Sequence, residues 1–159
     1  MTAESYVRFF PDALAVPRAR QHVEKELRTW GLANLVDDDV LVVSELVTNS
    51  VTETVRWMRE RECGVAGEGE DALIEAVFGR WSWPWTIAFA VYRFGSGAVV
   101  VEAWDCSRKP PIPVPKTDDW TLQGGRGLHI VDEVSKRWGY RWPRSGGKVV
   151  YAVLGRAER

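Results

Sequence analysis

The chain reads as an α+β fold: a two-layer sandwich, with a mixed, mostly antiparallel sheet and helices on one face. Three observations predict it. Helical periodicity fills the first third of the sequence. Two pairs of strand-like runs, TIAFAVYRF with AVVVEAWD and WGYRW with KVVYAVL, are joined by the short glycine-bearing links GSG and PRSGG. Such links imply antiparallel hairpins. A further helical run separates the two hairpins, so helices can cover one face of a single sheet. At 159 residues the chain suits one domain, 1–159.

Residues 5–10, SYVRFF, read as a short edge strand ended by Pro11. Pro17 suits the first position of a helix, where a missing N–H costs nothing, and Gly31 stops that helix after Trp30. Asp37, Asp38 and Asp39 then cap and charge-stabilise a second helix over roughly 38–61. On it Val40, Val43, Val47, Val51, Val55 and Met58 form a buried stripe. Residues 62–84 form an insertion: glycine-rich and acidic at first, then a short apolar run, then the knot WSWPW. Trp81, Trp83 and Trp85 read most plainly as packing residues, with an aromatic patch for a protein partner as the sharper reading. Residues 106–123, with four prolines between 110 and 115, form a long loop of the kind that serves as a lid. A third helix is expected from Gly127, ending by Arg137.

Composition narrows the function classes. A formal charge of −1 gives no support for broad nucleic-acid binding, which usually shows a basic excess, and no direct nucleic-acid partner is expected. No apolar run approaches the roughly 20 residues of a membrane span, and MTAESYVRFF lacks the pattern of a signal peptide. Cys63 and Cys106 make neither a disulfide framework nor a metal pattern, so a cytoplasmic protein with reduced thiols is expected. His22 and His129 have no evident metal partner.

Three segments carry groups suited to chemistry. Glu45 and Asn49 are one helical turn apart, on the side away from the valine stripe. They read either as part of a solvated face or as a proton acceptor beside an oxygen ligand for a hard cation. Asp105 ends a strand run, and either caps its own turn or accepts a hydrogen bond from an exocyclic amine. In QGGRGLHIVDEV, Gly124, Gly125, Arg126 and Gly127 precede a helix; they form a hinge or an anion cradle.

Taken in order, SELVTNSV, VEAWDCSRKPP, GGRGLHIVDEVSKRWGY and GGKVVYAVL resemble the boxes of the gyrase, heat-shock-chaperone, histidine-kinase and MutL (GHKL) ATPase superfamily. Within it the chain is most similar to the anti-sigma-factor serine kinases. The resemblance implies a Bergerat-type sandwich with ATP held between helices and sheet. It implies Asn49 on Mg²⁺, Asp105 on adenine, the turn of Gly125, Gly127 and Leu128 on the phosphates, and Glu45 as general base. It also implies a serine/threonine protein kinase acting on an antagonist protein, a sigma factor as second partner, and a homodimer. Two positions depart from the family pattern. Asp-x-Gly is replaced by Asp105-Cys106-Ser107, which places a side chain beside the base, and Val149 stands where relatives often carry a threonine. These departures keep two other classes open: a nucleotide-independent protein-binding module, and an ATPase switch without a protein acceptor.

Overall fold

The protein is described here from a computed structural model covering residues 2–65, 86–94, 97–113 and 126–155. In chain order the elements are β1 (Thr2–Phe9), α1 (Ala15–Thr29), a 3-10 turn (Ala33–Leu35), α2 (Val36–Val65), β2 (Ile87–Phe94), β3 (Ala98–Asp105), α3 (Gly127–Val134), β4 (Arg137–Arg141) and β5 (Lys148–Gly155). The expectations for Trp81, Trp83 and Trp85, for Gly124 and Gly125, and for loop residues 114–123 lie outside the described residues.

The strands form one sheet in the order β1-β2-β3-β5-β4. The α+β sandwich is as expected, with helices packed on the sheet. Its mixed character is not: every neighbouring pair is antiparallel. β3 and β4 do run in the same direction, but β5 turns back between them, so they never pair.

Local chemistry explains the element ends. α1 begins two residues before Pro17, after an Asx-type turn in which Asp12 Oδ1 accepts the Leu14 N–H at 2.8 Å; its N-cap, Leu14, has no side-chain cap. Pro17 still falls among the first turn's orphan donors, so its ring is tolerated. α1 closes in a Schellman arrangement, with Gly31 at φ +72°. The Leu32 N–H donates to the Leu27 carbonyl at 2.8 Å and the Gly31 N–H to that of Arg28 at 3.2 Å. α2 runs past the expected end at 61 to Val65, so the stretch read as an insertion starts inside this helix. Gly64 is accommodated within it, at the modest cost of a glycine in a helix.

The core lies between the helices and one face of the sheet. Ala15, Ala19, Val23 and Leu27 recur every four residues on α1 and are all buried. They meet Ile87, Phe89 and Val91 of β2, Val99, Val101 and Ala103 of β3, and Val150, Ala152 and Leu154 of β5. The alternation is strict, with every second residue of these strands facing inward. Along α2 the deepest positions are Asp39, Val42, Val43, Leu46, Val47, Ser50 and Thr54. Only Val43 and Val47 of the expected stripe lie fully inside, while Val40 and Val51 are half-buried against the core. The stripe is rotated because α2 touches both α1 and the sheet, so its covered arc is wider than one row. Arg20 adds a polar tie between the two helices, its Nε donating to Ser44 Oγ at 2.6 Å.

Asp39 departs from its expected role. It lies in the first turn of α2 but is fully buried, and neither carboxylate oxygen finds a hydrogen-bond partner among the described residues. Burial, with Asp38 adding to it, pushes its pKa up to about 7. The folded chain therefore holds this proton where the unfolded chain has lost it, and stability falls as pH rises from about 4 to about 7. Replacing Asp39 with Asn should raise the unfolding free energy at pH 8 by roughly 1–3 kcal/mol. At pH 4 urea titration should show little difference from the wild type.

Candidate functional site

α2, the first turn of α3 and the ends of β3 and β5 enclose a cavity of about 1110 Å³. Glu45, Asn49, Asp105, Arg126, Gly127 and Leu128, drawn from three distant segments, all line it. Glu45 and Asn49 are half-buried, on the cavity wall. Lys109, Pro110, Pro111 and Ile112 form part of the rim.

Gly127 opens α3 directly against Glu45. A Cβ at this position would meet Glu45 Oε2, the far end of a flexible side chain, so the glycine gives the Glu45 carboxylate room against the helix start. The arrangement also puts a carboxylate beside the positive end of a helix dipole. Arg126 is exposed at the mouth, and its carbonyl accepts the His129 and Ile130 N–H groups at 3.0 and 3.1 Å.

The floor of the cavity carries an ion pair that the sequence reading missed. Asp105 and Lys148 are direct cross-strand neighbours, and both face inward. Lys148 Nζ donates to Asp105 Oδ1 at 2.8 Å, with each side chain only 2% exposed. Gly147, at φ +68°, makes this register reachable: any Cβ there would run into the Asp105 carbonyl. Burial pushes the Asp105 pKa up to about 6, against the opposing pull of Lys148 and of the Ser107 N–H.

Asp105 also caps its own turn. The Ser107 N–H donates to the same Oδ1 at 2.9 Å, an Asx-type contact. The following residues are stitched to α2. Cys106 Sγ lies 3.7 Å from Thr54 Oγ1, Ser107 Oγ donates to Glu53 Oε2 at 3.3 Å, and Lys109 Nζ pairs with Glu60 at 2.7 Å. Glu53 is held in turn by Arg56 at 2.6 Å. Burial raises the Cys106 thiol pKa, which keeps it in the less reactive thiol form.

Two expected positions are corrected. Ser107 is buried under the turn against Glu53 and is not among the residues lining the cavity. Val149 faces the other side of the sheet, where it lines a separate cavity of about 450 Å³ with Glu102, Trp104 and Arg141. Strand alternation is the reason. Val150, Ala152 and Leu154 point inward, so Lys148 does too and Val149 cannot. Counting by two back from those apolar residues would have found Lys148.

No family model matches the chain, and no curated protein matches it. Among solved structures it is similar to the crystal structure of the RsbU and RsbW domains of Rv1364c from Mycobacterium tuberculosis. The TM-score is 0.53 and the sequence identity 14%, over 99% of this chain and 34% of that one. At such identity the likeness is one of fold. The chain spans about a third of that neighbour's length.

Removing one partner of a buried ion pair strands the other charge, typically at a cost of 3–5 kcal/mol. Lys148→Met and Asp105→Leu should each lower the unfolding free energy by about that much. The double variant should recover most of the loss, as a double-mutant cycle read by chemical denaturation will show.

Proposed function

We propose that the cavity between α2 and the sheet binds a purine nucleoside triphosphate with Mg²⁺, ATP being the nucleotide implied by the sequence resemblance. The observation that carries this reading is the convergence of Glu45, Asn49, Asp105 and Gly127 on one cavity. Two features fit such a ligand. The first turn of α3 faces the cavity through a glycine, so its backbone N–H groups and the Arg126 guanidinium suit phosphates. The Asn49 amide oxygen suits Mg²⁺, which commonly takes few protein ligands and completes its shell with phosphate oxygens and water.

On this reading the domain acts as an anti-sigma-factor-like regulator whose partner is a protein. Bound nucleotide supplies a γ-phosphoryl group to a serine or threonine hydroxyl of an antagonist. Glu45 takes the hydroxyl proton, and Asn49 positions the cation. No helix among the described residues is long and apolar enough to cross a membrane. A second reading, a protein-binding module without nucleotide, is favoured by one observation. Asp105 Oδ1 already accepts hydrogen bonds from Lys148 and Ser107, which leaves a base only Oδ2.

Calorimetric titration with ATP and Mg²⁺ separates the two. Saturable binding below millimolar nucleotide supports the first reading, and no heat supports the second. Asn49→Ala should weaken binding by about tenfold in Mg²⁺ and leave affinity measured in EDTA unchanged. Glu45→Gln should bind ATP as the wild type does while losing at least about a hundredfold in phosphoryl transfer. Full turnover by Glu45→Gln would remove Glu45 from the proton transfer.

A further inference from the structure

We infer that Lys148 is a base-reading residue of this cavity, donating a hydrogen bond to the ring-nitrogen acceptor of a purine while Asp105 accepts from the neighbouring amino group. The inference rests on the nucleotide reading above and names the group that selects the base.

The pair leaves hydrogen-bonding capacity unused on both sides. Asp105 Oδ1 accepts from Lys148 Nζ and from the Ser107 N–H, whereas Oδ2 has no hydrogen bond among the described residues. An ammonium carries three N–H donors. Asp105 takes one from Lys148, and among the described residues nothing takes the other two. With the side chain 2% exposed, little bulk water reaches it. Both residues nonetheless line the cavity. Unused donors on a buried cation, beside an unused acceptor and facing a cavity, call for a ligand with the complementary pair of groups.

Adenine has that pair: the amino group at C6 is a donor, and N1 beside it is an acceptor. Their spacing along one ring edge suits two adjacent side chains on neighbouring strands, and Asp105 and Lys148 stand in direct register. A hydrophobic residue at 148 would leave N1 unpaired. The sheet fixes the donor in place, because Gly147 and the Asp105–Lys148 register set where the lysine emerges. The side chain therefore acts both as counter-ion to Asp105 and as a reader of the base.

The test compares ATP with 1-deaza-ATP, in which N1 is replaced by C–H, by calorimetry on the full chain in Mg²⁺. The expected result is that 1-deaza-ATP binds at least about tenfold more weakly than ATP. In Lys148→Met that ratio should approach one, while a lysine serving only to hold Asp105 would leave the ratio as in the wild type. The wild-type comparison needs no variant, so it stands even where Lys148→Met fails to fold. Equal affinity for the two nucleotides in the wild type would overturn the inference and leave the nucleotide site standing. Tighter binding of inosine triphosphate than of ATP would also overturn it, since hypoxanthine reverses the donor and acceptor. Failure of all three nucleotides to bind would remove the nucleotide reading, and this inference with it.

Discussion

Two opposite charges sit at the inner ends of adjacent strands, and much of the site is organised around them. The sheet's alternation turns Asp105 and Lys148 inward, where the apolar rows of β3 and β5 run out. Neither could be buried alone at tolerable cost, since an isolated charge in a low-dielectric interior loses its hydration with nothing in return. As a pair they offset most of that loss, although a buried pair is seldom a better stabiliser than apolar packing. Its effect here is geometric. It ties β3 to β5 at the cavity floor, and the Ser107 N–H on the same oxygen bends the chain toward α2.

α2 is the other wall of the cavity. Its arc toward α1 and the sheet is apolar or carries small polar groups, Ser50 and Thr54 among them. The neighbouring arc carries Glu45, Asn49, Glu53 and Arg56 into the cavity. Contacts from Thr54, Glu53 and Glu60 to the turn after β3 keep helix and sheet end together on that side. On the other side, α3 begins against the Glu45 side chain, with the glycine at 127 leaving room for its carboxylate. A cavity built this way depends on contacts between elements far apart in sequence. Asp39 shows the opposite case: a buried carboxylate with no partner among the described residues, at the start of the same helix.

Much of this was legible in the sequence. Among the described residues the five strands, the three helices and the antiparallel hairpins followed from periodicity and turn residues, with errors of a few residues at the ends of β1, expected at 5–10, and of α1 and α2. Glu45 and Asn49 were legible because helical spacing is local, and Gly127 because a glycine before an apolar run marks a helix start. Asp105 was read as capping its own turn, which the Ser107 N–H contact matches, whereas its pairing with Lys148 was not read. Lys148 was passed over because in KVVYAVL it looks like the polar start of a strand. The error at Val149 is one residue of register, and in a strand one residue exchanges the two faces of the sheet.

The sequence by itself determined what local rules govern. These are the elements and most of their ends, the α+β class, and which side chains share a helix face or a strand face. Those properties depend on neighbours within a few residues, through backbone sterics, capping and apolar periodicity. The tertiary structure alone decided that β5 lies between β3 and β4, that Lys148 meets Asp105, and that Glu45 faces Gly127. Each of these joins positions tens of residues apart. Such meetings are set by how whole elements pack to exclude water, and no local pattern encodes them.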